Sequence, residues 1–142
     1  MDDQAFLSAF EARKISRADW THRAHIKVAY LYLRQFPLPM AIEKVRAGIQ
    51  ALNAANGVAD TPTGGYHETT TLAWVRIVHA MLSEHGPAAS ADEFIDAQPQ
   101  LAQKNILRLF YSKERFTSPE AKWNFVEPDL APLPSSPRRD SM

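Results

Sequence analysis

Apolar residues in this chain recur at steps of three and four within segments bounded by proline and glycine, a pattern that suits packed helices rather than strands. Phe6, Leu7 and Phe10 share one stripe between Asp3 and Arg13. A second helix is predicted from Trp20 or Thr21 to Phe36, with Asp19 or Thr21 able to accept from its free N-terminal amides. Pro37 and Pro39 break it, and Ile42, Val45, Ile49 and Leu52 mark a third helix from near Pro39 to Asn56-Gly57. After a loop from Val58 to Gly65, a fourth runs from Tyr66 to about His85 and buries Leu72, Trp74, Val75, Val78, Met81 and Leu82. Ser90-Ala91-Asp92-Glu93 is a capping-box pattern for a short fifth helix. A sixth is predicted from Leu101 to Tyr111 or Ser112, and Ser118-Pro119-Glu120 opens a last turn that brings in Trp123, Phe125 and Val126. No alternating run with hairpin turn signals is present. The expectation is an all-α, irregular bundle of about five to six helices over residues 1–130, followed by an extended, Pro-rich C-terminal tail, 131–142, that is disordered.

The charges balance, with 16 basic and 16 acidic residues, so the broad positive field that drives phosphate-backbone binding is missing and nucleic acid is not an expected partner. The chain has no cysteine, which removes disulfides, thiolate nucleophiles and Cys-type metal sites; a metal would need His and carboxylate ligands. The longest apolar run, Val28 to Leu33, is too short to cross a bilayer, and the acidic start Met1-Asp2-Asp3-Gln4 is unlike a secretory signal. A cytoplasmic location without membrane contact is the expectation.

Histidine carries the candidate chemistry. His22 and His25 are three apart on the second predicted helix, so their rings leave one face about a turn apart. His67 opens the fourth helix directly after Gly64-Gly65, on a face continued by Thr71, Trp74 and Val78. If the starts of these helices meet, His22, His25 and His67 form a three-imidazole metal site with an open position for water, and a helix N-terminus favours the neutral, ligating ring. Zinc, iron, nickel and manganese all suit such ligands. Glu68, turned away around the helix, would serve as general base or orient the site. Tyr66, Thr70 and Thr71 would offer hydroxyls to a substrate. The contrary reading makes the same histidines hydrogen-bonded structural residues. His79 and His85, six apart, share no face. Arg108, Lys113 and Arg115 cluster at the end of the sixth helix, where they either answer its dipole or hold an anion.

Three stretches, Trp20-Thr21-His22-Arg23-Ala24-His25, Gly65-Tyr66-His67-Glu68-Thr69 and Tyr111-Ser112 with Ser118-Pro119-Glu120-Ala121, together resemble a set of short bacterial helical proteins with a WTHxxH…GYHET pattern, which implies a domain but no activity. A small bundle with three histidines is also similar in outline to the DinB-like metalloenzymes. Their spacing differs, because here the pair lies on the second helix and the single His opens the fourth. The leading expectation is therefore a small metal-dependent hydrolytic or water-activating enzyme. The alternative is a non-catalytic domain that binds a small molecule or a protein partner. The oligomeric state is left open.

Overall fold

The computed structural model describes residues 2–135. It consists of helices α1 (Asp3–Glu11), α2 (His22–Gln35), α3 (Leu38–Ala55), α4 (Glu68–His85) and α5 (Ala91–Ala97), two 3-10 turns (Pro99–Ala102 and Lys104–Leu109), and the short helices α6 (Lys113–Phe116) and α7 (Pro119–Trp123). Among the described residues there is no strand, and one isolated bridge, Thr61 to Gly64, pins the loop before α4. The irregular helical bundle read from the sequence is the observed architecture. No described helix is long and apolar enough to cross a membrane.

Helix α2 is the hub, packing against α1, α3, α4 and α5. Its residues from Val28 to Leu33 are all buried, which explains the longest apolar run: a helix covered on every side has no face left to be polar. Thr21 accepts the Ala24 N–H at 3.2 Å and so caps α2. Phe10, only 1% exposed, stacks on Trp20 with centroids 5.3 Å apart and meets Tyr32 edge-on at 6.3 Å. The third wall around that ring is the backbone of α3 at Gly48, where a Cβ would lie 2.3 Å from Phe10 Cε2. Trp20 in turn stacks on His25 at 4.0 Å, so a column of rings runs from the core to the start of α2.

The segment predicted as a sixth helix is instead the pair of 3-10 turns. Leu101, Leu107 and Phe110 turn inward at multiples of three residues, the repeat of a 3-10 helix, while Leu109 stays exposed. The chain then closes on α4. Thr69, fully buried, donates to the Asn124 carbonyl at 2.9 Å and accepts the Val126 N–H at 3.1 Å, and the Tyr111 hydroxyl donates to the Val126 carbonyl at 2.7 Å. Lys122 is also buried; its ammonium donates to Asp60 at 3.0 Å and to the Tyr66 carbonyl, tying α7 to the loop before α4. Trp123 is half exposed and lies over that ammonium rather than in the core. Of the predicted tail, residues 131–135 carry no helix or strand and Leu133 packs on the core; 136–142 lie outside the described residues.

Candidate functional site

The starts of α2 and α4 do lie close together, beside a cavity of about 1030 Å³. His22, His25, Thr70 and Thr71 form one side of it, with Ala29, Val45, Ile49, Trp74 and Val75 as apolar floor. The second 3-10 turn and α6 contribute Lys104, Arg108 and Lys113 to its lining. A smaller cavity of about 330 Å³ lies behind a partition shared by Trp20, His25, Ile49, Thr70 and Thr71, and is lined beyond it by Arg17, Tyr66 and His67.

Each imidazole can be assigned its tautomer from its partner, because a carbonyl only accepts. His22 Nε2 donates to the Leu101 carbonyl at 2.8 Å, which leaves Nδ1 as the lone-pair nitrogen of the neutral ring. His25 Nδ1 donates to the Thr21 carbonyl at 2.7 Å, which leaves Nε2. His67 differs. Its Nδ1 accepts the Thr70 N–H at 3.0 Å and meets the Thr70 hydroxyl at 2.9 Å, acting as N-cap of α4, while Nε2 donates to the Phe116 carbonyl at 3.2 Å. Both of its nitrogens are committed.

Burial holds all three imidazoles below the ordinary histidine pKa of 6.5, and so neutral at pH 7. For His22 and His25 the carbonyl bonds oppose that effect, while the Lys104 charge adds to it, as does His22 for His25. For His67 the Phe116 carbonyl opposes burial and the Lys122 charge adds to it.

The three rings do not face one point. His22 and His25 line the large cavity and His25 and His67 the small one, so no cavity holds all three. Among the described residues, no group of three or more His, Asp or Glu side chains is placed to hold a metal ion. Neither cavity has an acidic lining residue.

Glu68 lines neither cavity. Arg46 grips both of its oxygens, at 3.0 and 2.7 Å, and the Tyr66 hydroxyl donates to it at 2.5 Å. Burial raises its pKa, but the bonds from Arg46 and Tyr66 outweigh this and hold it below the usual carboxylate value. That makes Glu68 a poor proton acceptor, and Tyr66 spends its hydroxyl on the same pair. Thr71 donates its hydroxyl to the His67 carbonyl at 2.9 Å. Of the predicted substrate residues, Thr70 and Thr71 border both cavities and Tyr66 the smaller one.

Arg108 and Lys113, read as candidates for an anion, reach the large cavity, whereas Arg115 turns away to donate to the Glu127 carbonyl at 2.9 Å. Lys104 was missed by sequence reasoning. The available signal was composition, since residues 104 to 115 carry Lys104, Arg108, Lys113 and Arg115 against Glu114 alone. Among the described residues, no ion pair engages Lys104, Arg108 or Lys113. By contrast Arg23 and Lys27 pair with Asp92 at 2.8 and 3.2 Å and join α2 to α5.

No family model matches the chain, and neither the curated proteins nor the solved structures contain a match. Fold and site together define a helical bundle with a basic, carboxylate-free cavity between α2, α4 and the 3-10 turn.

Proposed function

We propose that this chain is a binding domain for a small amphipathic organic anion, a carboxylate or phosphate on an apolar body, taken into the large cavity. The observation that carries the reading is the pairing of apolar walls with three exposed cations, Lys104, Arg108 and Lys113, that form no ion pair among the described residues. A volume near 1000 Å³ suits a drug-sized ligand, and mostly apolar walls with a few polar groups are the usual make-up of such sites. Cations left unpaired beside a low-dielectric wall attract an anion more strongly than the same groups do in open water.

In thermal-shift titrations 2-naphthoate should raise Tm in a dose-dependent way, while the cation 2-naphthylmethylammonium should not. Replacing Lys104 and Arg108 together with Ala should weaken 2-naphthoate binding by about tenfold or more, with a weaker salt dependence. Equal response to both probes, or an unchanged affinity in the double variant, rejects the reading.

The metal-dependent hydrolytic reading retains one observation in its favour, the two lone-pair nitrogens of His22 and His25 on one helix face. Against it, a divalent ion there would sit beside Lys104 without any carboxylate to balance it. Elemental analysis of protein purified without a metal-affinity tag separates the two. Stoichiometric zinc, iron, nickel or manganese that is lost in a folded His25→Ala variant would favour the enzyme.

A further inference from the structure

The polar side of the large cavity is more specific than an apolar pocket with a cationic rim requires. Among the described residues, every buried side-chain nitrogen and oxygen has a hydrogen-bond partner. His22 Nδ1 and His25 Nε2 have none, so each is accessible; both residues line the large cavity, and His25 lines the smaller one as well. Their tautomers are fixed from behind by the Leu101 and Thr21 carbonyls, at 2.8 and 2.7 Å. Ring contacts hold them in place: His22 lies edge-on to Trp74 at 4.7 Å, and His25 is stacked on Trp20 at 4.0 Å. Each therefore presents a preoriented lone pair and no proton.

We infer that the ligand carries, besides its anion, a hydroxyl or amine N–H that donates to His22 Nδ1 or His25 Nε2. This rests on the anion-binding reading of the same cavity and adds a second recognition element to it. The arrangement is discriminating in one direction. A donor-bearing ligand gains a bond to an acceptor that has already given up its freedom, whereas an analogue without the donor covers a lone pair and leaves it unpaired. The cations Lys104, Arg108 and Lys113 and the two imidazoles line the same cavity, so one ligand can meet both. The ligand class is thus a hydroxylated or amino-substituted aromatic or alicyclic acid, or the phosphate of such a skeleton.

The test compares 2-naphthoate with its 6-hydroxy and 7-hydroxy derivatives by isothermal titration calorimetry on the full chain. At least one hydroxylated probe should bind about tenfold more tightly than the parent at pH 7.5. In His25→Phe or His22→Phe the ratio of hydroxylated to parent affinity should fall toward one, whatever the variant does to parent binding itself. A further measurement needs no variant. As pH is lowered the two rings take up protons and cease to accept, so the advantage should shrink in the unaltered protein. The charged groups that share their cavities are Lys104 and Arg108 from the 3-10 turn, Lys113 from α6 and, in the smaller cavity that His25 also lines, Arg17.

If all three probes bind alike, with an affinity that still depends on Lys104 and Arg108, the donor inference falls and the anion reading stands. If none binds, both fall.

Discussion

At the scale of single residues, Gly48 sets the geometry that reaches the site. Glycine in a helix interior is about 1 kcal/mol worse than alanine on propensity alone, so Gly48→Ala in α3 would ordinarily stabilise. Here the added methyl would stand 2.3 Å from Phe10 Cε2, and that ring cannot withdraw, held between Trp20 and Tyr32 at 1% exposure. Overpacking of this kind costs roughly 1–3 kcal/mol and should outweigh the propensity gain. Gly48→Ala should therefore lower the urea midpoint and, through the Phe10–Trp20–His25 column, change the tryptophan emission. A raised midpoint would mean that the ring moves freely and the column is not rigid. Glycine at 48 was not legible as a packing residue, because sequence shows a helical glycine but not the ring lying against it.

Among the elements, those with strong local signals were readable and those shaped by their neighbours were not. Capping by Thr21 and Ser90, the break at Pro37 and the end of the fourth helix at His85 depend on a few adjacent residues, and each lies where the sequence indicated. The 3-10 turns were read as a helix because Ile106, Leu107 and Phe110 fit a helical stripe while Leu101, Leu107 and Phe110 fit a threefold one; contact with the bundle decides. The candidate site followed the same division. That His22 and His25 share a face follows from their spacing, whereas the meeting of the starts of α2 and α4 was only a condition of the site; where Nε2 of His22 and of His67 goes depends on Leu101 and Phe116, which are 79 and 49 positions away along the chain.

The segment after α7 is similarly governed from a distance, by Thr69 on α4. Thr69→Val keeps the shape but leaves the Asn124 carbonyl and Val126 N–H without this partner, which should cost about 1–3 kcal/mol by chemical denaturation. Tyr111→Phe, which removes one bond to the same segment, should cost less. Indifference to Thr69→Val would show that the segment is held by apolar packing alone.

Across the whole molecule, His22, His25 and His67, all partly buried, give folding a pH dependence of definite sign. Burial depresses the pKa of His22, His25 and His67 below 6.5 in the folded chain, while the unfolded chain retains the ordinary value. Above pH 6.5 both states hold these rings largely neutral, and their contribution to stability is fully present. As pH falls below 6.5 the unfolded state takes up protons first, so stability is lost progressively until the folded rings protonate too. Glu68 and Asp92, whose folded pKa values are also depressed, lose their contributions in a separate and lower window, beginning near their ordinary 4.5 and 3.8.

Melting curves between pH 7.5 and 5 thus isolate the imidazoles, and Tm should fall across that interval. His67→Asn offers the sharpest check, since asparagine can accept the Thr70 N–H as a helix cap but cannot titrate. Its melting temperature should fall less steeply with acid than that of the unaltered protein. An equally steep fall in the variant would remove His67 from the account.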